Sequence, residues 1–187
     1  MIFRILVVWV GLLTFLSVPD GAFPQSDRPN LEALSPEARE FVRTWLGQDC
    51  RTGQMQGLES RLLALGSRLE PVLWEAYRLG PPPEDLRRIR EVMARRYGER
   101  REWLGTSGSG LLDAESRLRL LSVPRSQFVE RETEGYVSRY KTSAIMGLAI
   151  VGTAASAAEL ERITANGKSP SRVAAGEALR RIRIRGR

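Results

Sequence analysis

The sequence contains no histidine, and this absence narrows the chemistry open to the chain. Histidine is the usual general base near neutral pH and the commonest metal ligand in proteins. Serine-type triads, papain-like dyads and most zinc sites are therefore excluded. A P-loop is missing as well, because the glycines between Gly105 and Gly110 lack the lysine and hydroxyl residue that such a loop requires. The sequence predicts a protein that is not an enzyme and needs no cofactor or metal.

Cysteine occurs once, at Cys50. In an oxidising compartment a single thiol is buried and inert, joins two chains, or is reactive. A reactive thiol needs a cationic neighbour or a helix terminus to lower its pKa, and Arg51 is the nearest cation in the sequence. We favour inert burial, and the other two roles stay open.

Aromatic residues are scarce, at 7% of the chain, whereas leucine, alanine and arginine are abundant. This balance favours helices over a sheet sandwich. Lysine is scarce too: of 29 basic residues only Lys141 and Lys168 are lysines, so arginine carries most of the positive charge. The formal net charge of +7 favours acidic partners such as nucleic acid or anionic lipid, unless it reflects a genomic composition bias.

The first 22 residues have the pattern of a secretory signal peptide. Arg4 precedes an apolar run from Ile5 to Val18, and the small residues Gly21 and Ala22 follow it. The run is short for a transmembrane helix, which needs roughly 20 residues. We expect residues 1–22 to be a signal peptide or an uncleaved N-terminal anchor, with a buried helix as a further alternative. The first two alternatives place the folded part outside the cytoplasm, either periplasmic or secreted.

A linker is predicted at residues 23–34, which are mostly polar and include Pro24 and Pro29. A helical domain is predicted at 35–187. It begins at Ser35, where serine can cap a helix that has proline in its first turn. Within this domain the Gly/Ser-rich segment 105–110 predicts a surface loop.

Helices are predicted wherever apolar residues recur every three or four positions. A first helix ends at Gly47, and three more follow before the loop, separated by breaks at Gly66 and at Gly80 to Pro83. Three short helices are expected after Val137, with breaks at Gly152 and between Asn166 and Pro170.

The pattern is weaker between Gly98 and Arg131. A short helix is expected from Leu111 to Val123, ended by Pro124. Another helix is expected to run from Ser126 towards Tyr136, although Gly135 can interrupt it.

An internal repeat relates the helices before the loop to those after Val137. Leu62 to Gly66 aligns with Leu148 to Gly152, an offset of 86 residues (148 − 62). With one inserted residue, Pro83 then aligns with Pro170. The offset is close to twice the roughly 40–47 residues of a HEAT or armadillo unit. A single helical hairpin cannot bury its apolar face alone, so repeated hairpins are expected to stack.

These segments resemble HEAT repeats, including the short variants associated with phycobilisome lyases and many bacterial proteins. In that family a first helix ends in small residues, as at Leu148 to Thr153, and a second has a leucine-rich face, as at Ala158 to Ile163. A further helix then opens with arginine and alanine, as at Arg172 to Arg180.

The resemblance covers residues 60–97 and 136–183 and implies an all-α fold. More specifically it implies a short α-solenoid of stacked HEAT-like hairpins, with an irregular helical bundle as the alternative. The chain departs from the family at Ser67 and Thr153, where the turn usually contains aspartate.

Arginines are concentrated near the end of the sequence, in a C-terminal arginine cluster: Arg180, Arg181, Arg183, Arg185 and Arg187. Only Glu177 lies near them in sequence. Such a cluster can bind phosphate groups of nucleic acid or lipid. Alternatively, it supplies the polar outer face that a terminal solenoid helix requires.

Glu130 and Glu134 can share a helix face, but nothing in the sequence places them in a catalytic pocket. We therefore expect a non-enzymatic protein–protein interaction or scaffold module of the cell envelope. The partner is expected to be a protein, and no small-molecule substrate is inferred. The alternative is a basic module that binds anionic lipid or nucleic acid through the C-terminal arginine cluster.

Overall fold

The computed structural model describes residues 28–48, 55–106, 110, 112–167 and 169–186, and every regular element within these ranges is helical. The all-α prediction is therefore confirmed for this part of the chain. The predicted leader, Cys50 and Arg187 lie outside the described residues. The α-helices are α1 (Pro29–Glu32), α2 (Pro36–Gly47), α3 (Met55–Leu65), α4 (Glu70–Leu79), α5 (Pro83–Gly105), α6 (Ala114–Leu121), α7 (Arg125–Val151), α8 (Ala157–Ala165) and α9 (Arg172–Arg185). Two 3-10 turns, Gly66–Leu69 and Ala154–Ser156, precede α4 and α8.

Helix α7 lies at the centre of the packing. Helices α2, α3, α4, α5 and α9 all contact it. Between Tyr140 and Val151 almost every residue of α7 is buried, which is the pattern of a helix surrounded by others. The first half of α7 is buried on one side only, and its other side reaches solvent.

At Gly147, side chains of α2 and α4 pack directly against α7. The indole Nε1 of Trp45 on α2 donates a hydrogen bond to the carbonyl oxygen of Ser143 at 2.8 Å. A Cβ atom at Gly147 would lie 2.9 Å from Cδ1 of Leu73 on α4 and 3.1 Å from Nε1 of Trp45. The missing side chain therefore provides the space that both neighbours occupy.

Glu70 on α4 connects distant parts of the chain. The Glu70 carboxylate accepts hydrogen bonds from the Thr153 backbone N–H, at 3.2 Å, and from the Ser156 hydroxyl. Trp74 Nε1 donates to the same Ser156 oxygen at 2.8 Å. These bonds hold the turn between α7 and α8 against α4.

The buried carboxylate of Glu75 fixes the start of the described chain. It accepts hydrogen bonds from the backbone N–H groups of Asn30 and Leu31, at 2.9 and 3.2 Å. The Leu31 side chain belongs to the core. Residues 28–34 fall within the predicted linker, but they form α1 and pack on the domain because α4 supplies acceptors for the free N–H groups of this short helix.

Two further differences from the sequence predictions concern helix length. Helix α7 continues through Gly135 without a break, so the first of the three expected short helices is one 27-residue helix. Helix α5 extends to Gly105, and of the predicted loop 105–110 only Gly105, Thr106 and Gly110 are described.

The order of elements repeats along the chain. Helix α3, a 3-10 turn, α4 and α5 are followed later by α7, a 3-10 turn, α8 and α9. The first 3-10 turn begins at Gly66, and the second begins at Ala154, two residues after the Gly152 that aligns with Gly66. Helix α7 nevertheless contacts helices from both of these sets of elements. They are α3, α4 and α5 from the first set and α9 from the second.

Candidate functional site

A groove of about 670 Å³ lies between α5 and the exposed first half of α7. The two helices run in opposite directions, because Tyr97 near the end of α5 contacts Phe128 near the start of α7, with ring centroids 5.6 Å apart. The α7 wall extends from Ser126 to Lys141. At 1.5 Å per residue this wall is about 22 Å long.

The floor of the groove is mostly apolar. It is formed by half-buried aliphatic side chains of both helices, Leu86, Val129 and Val137. Thr133 lies between the two valines on α7, and its hydroxyl donates to the Val129 carbonyl oxygen at 2.7 Å. This bond satisfies the hydroxyl inside the helix, so Thr133 presents mainly its methyl group to the groove.

Charged side chains of both signs line the rim. Arg90 and Lys141 are the cations, and Glu130 and Glu134 are the anions. Within the part of the chain that the structure describes, no ion pair joins any of these four groups. The two glutamates do share a face of α7, as their spacing predicts, but like charges four residues apart destabilise a helix slightly. Unpaired charges beside an apolar floor can pair with a bound segment.

A smaller and more polar cavity, of about 390 Å³, lies between α2 and α5. Asp85 and Arg88 line it and are paired at 3.0 Å. Tyr136 lies at its base, and burial, with the nearby Asp85 charge, raises the pKa of this phenol. Because its lining is mostly polar, this cavity is a weaker candidate than the α5–α7 groove.

Four members of the C-terminal arginine cluster lie within the described residues, and all four are bonded within the molecule. Arg180 and Arg181 both donate to the Glu177 carboxylate, at 2.8 Å each. These two hydrogen bonds lower the pKa of Glu177 to about 2. Arg183 reaches Glu161 on α8 at 2.6 Å. The described arginines near the end of the chain are therefore engaged with carboxylates or with backbone oxygens.

Arg185 differs from the other arginines because its partners are main-chain carbonyl groups. Its guanidinium donates to the carbonyl oxygens of Ala149 and Gly152, at 3.0 and 2.9 Å, and to that of Ile150. The last carbonyls of an α-helix have no partner within the helix. Arg185 thus caps the C-terminus of α7 from α9.

Sequence reasoning did not find the groove, because its two walls come from segments about 40 residues apart. The sequence features that came closest to indicating the groove were the four-residue spacing of Glu130 and Glu134 and the apolar positions on α5. Within the described ranges, no group of three or more potential ligands is placed to hold a metal ion. Among the same residues no helix is both long and apolar enough to cross a membrane.

Comparison with known proteins adds no family to this description. No protein-family model, no curated protein and no solved structure matches the chain.

Proposed function

We propose that this chain is a non-enzymatic protein-binding module of the cell envelope, and that a segment of a partner protein binds in the α5–α7 groove. The groove itself is the observation that carries the proposal. A concave site with an apolar floor and a few charged groups at its rim is the usual form of a binding site. Two antiparallel helices with an apolar groove between them can hold an amphipathic partner segment.

Binding would combine apolar burial with charge pairing. Apolar side chains of the partner would pack on Leu86, Val129 and Val137. Acidic groups of the partner would pair with Arg90 and Lys141, and basic groups with the two glutamates. Because the rim carries both signs, charge complementarity would fix the direction of the partner more than the total affinity.

HEAT-like stacking is part of this proposal. The repeated order of helix, 3-10 turn and two helices supports it, as does the packing of α9 against both α7 and α8. A location in the periplasm or outside the cell rests on the apolar run in residues 1–22, which lie outside the described part of the chain.

The groove proposal is tested by capture of partners from the envelope fraction with two matched valine variants. Val137→Asp places a charge on the groove floor, whereas Val173→Asp changes a side chain on α9 that is 80% exposed and lies outside the groove. We expect Val137→Asp to reduce capture of a specific partner at least about tenfold, because a bound apolar segment would desolvate the introduced charge, and a loss of only about 1.4 kcal/mol corresponds to tenfold in affinity. Val173→Asp should capture the partner as the wild type does.

A second pair of variants keeps the test valid if Val137→Asp does not fold. Glu134→Lys reverses an exposed rim charge, and Glu91→Lys reverses an exposed charge on α5 outside the groove. Equal capture by all four variants would refute groove binding. Capture that is lost in raised salt and in an Arg180→Gln, Arg183→Gln double variant would instead favour the basic-module alternative.

A further inference from the structure

The described chain begins beside one end of the groove. The Arg28 guanidinium donates to the Gly80 carbonyl oxygen at 2.7 Å. A Cβ atom at Gly80 would lie 3.4 Å from Cε of Lys141 and 3.9 Å from Cγ1 of Val137, and both of these residues line the groove. Because Glu75 holds α1 in place, Arg28 lies close to the Lys141 end of the groove.

The segment that precedes Arg28 is long enough to span most of the groove. From Lys141 back to Glu130 the α7 wall spans eleven residues (141 − 130), or about 16 Å of helix. Five residues in an extended conformation, 23–27, span about the same distance. This segment reads Phe-Pro-Gln-Ser-Asp. Pro24 restricts the residue before it to extended backbone, which suits a narrow groove.

The chemistry of the segment also matches the groove. Phe23 and Pro24 are apolar, like the floor formed by Val129 and Val137. Asp27 would lie at the end of the groove that carries Lys141. The segment contains no basic residue, so it would add no like charge beside that lysine.

We propose that residues 23–27 bind in the α5–α7 groove of the free protein and act as an intramolecular competitor for the partner. A tethered segment this close to its site has an effective concentration in the millimolar range, so weak contacts suffice to occupy the groove. A partner must displace the segment, which lowers its apparent affinity by the fraction of molecules with an empty groove. The competitor role rests on the proposed function, whereas the contact between the segment and the groove does not.

Disulfide trapping in the intact chain tests this contact. Cys50 is first replaced by serine, and Gln25→Cys is then combined with either Glu134→Cys in the groove or Arg87→Cys on α5. Glu134 and Arg87 are each seven residues from the point where Gly80 meets Lys141 (141 − 134 and 87 − 80), but only Glu134 lines the groove. Gln25 is retained whether or not a leader is removed after Gly21 or Ala22. We expect the Gln25–Glu134 pair to form a disulfide at least about ten times faster than the Gln25–Arg87 pair.

Adding Phe23→Ser to the trapping pair should slow the Gln25–Glu134 disulfide severalfold, because the apolar contact would be lost. Equal rates for the two pairs would overturn the proposal, as would disulfides that form only between chains and point to a second copy in the groove. The same Phe23→Ser change, made in the chain with Cys50 intact, should increase capture of the partner. If trapping fails while Val137→Asp still abolishes capture, only the competitor is refuted and groove binding stands.

Discussion

At the scale of single residues, the fold depends on where glycine is placed. Gly147 and Gly98 both lie within helices, but their surroundings are opposite. A Cβ atom at Gly147 would meet Leu73 and Trp45 within about 3 Å, whereas at Gly98 no atom lies within 4 Å. Replacing glycine with alanine should therefore have opposite effects on stability at these two positions.

Gly147→Ala should destabilise the protein by up to about 2 kcal/mol. The gain of about 1 kcal/mol in helix propensity is outweighed by overpacking, which typically costs about 1–3 kcal/mol. Gly98→Ala should stabilise the protein by about 0.5–1 kcal/mol, because only the propensity term remains. Urea unfolding of both variants measures these changes in stability. A Gly147→Ala variant more stable than the wild type would show that α2 and α4 do not pack tightly against α7 at Gly147.

The small residues of α7 were recognisable from the sequence, but their partners were not. The run from Ala144 to Gly152 predicts close helix packing because small side chains let axes approach. Which side chain enters at Gly147 depends on Trp45, about 100 residues earlier in the chain. Likewise the partners of Arg183 and Arg185 lie on α8 and α7, beyond the reach of spacing rules.

At the scale of elements, the C-terminus of α7 depends on α9. Gly152 follows the last turn of α7 in an extended conformation, and its N–H bonds to Leu148. The Arg185 guanidinium donates to the carbonyl groups of Ala149, Ile150 and Gly152. Hydrogen bonds from a charged donor to such groups are stronger than neutral ones.

Arg185→Met should therefore cost about 1–2 kcal/mol of stability, since it leaves backbone acceptors without their charged donor. Arg180→Met is the matched control, because Arg180 pairs with Glu177 at the surface, where solvent screens the charges and ion pairs contribute little to stability. Chemical denaturation should rank the two variants in this order. Equal losses would mean that the Arg185 contacts contribute no more than a surface ion pair.

Element boundaries were predictable where the sequence carries strong local signals. Ser35 caps α2, and the Gly80 to Pro83 segment separates α4 from α5, as the sequence predicts. The helix expected to run from Ser126 into the Tyr136 segment is not interrupted at Gly135, because one glycine costs a helix only about 1 kcal/mol and the packing of its neighbours Thr133 and Tyr136 offsets that cost. The sequence prediction missed α1, whose formation depends on the acceptor at Glu75.

At the scale of the whole molecule, Tyr140 links stability to pH. It lies on α7 near the domain centre and is 2% exposed. Burial raises the pKa of its phenol to about 12. An unfolded tyrosine has a pKa near 10, so the folded state holds its proton more tightly. This contribution to stability is complete below about pH 10 and is lost as pH rises towards 12.

The free energy of unfolding should therefore fall between about pH 10 and pH 12, by up to roughly 2–3 kcal/mol for a shift of this size. Tyr140→Phe removes the titrating group, so its stability should decline less steeply over the same range. Urea unfolding at pH 9, 10 and 11 measures the slopes. Parallel curves for the wild type and Tyr140→Phe would show that the phenol of Tyr140 does not titrate on unfolding.

The overall class was predictable because composition and periodicity both act locally. The central position of α7 was not predictable, because it depends on which of the other helices pack against it. The groove is a consequence of that arrangement: α5 covers only one side of the first half of α7, and no local pattern records which side remains open.

The cap that Arg185 places on α7 also constrains the order in which the protein can fold during synthesis. A growing chain completes α7 more than 30 residues before the ribosome adds Arg185. Until then the end of the central helix has open carbonyl groups and an uncovered apolar surface at Val151. A nascent or truncated chain that stops at α8 should therefore be a target for chaperones and proteases, and the domain can close only after α9 has left the ribosome.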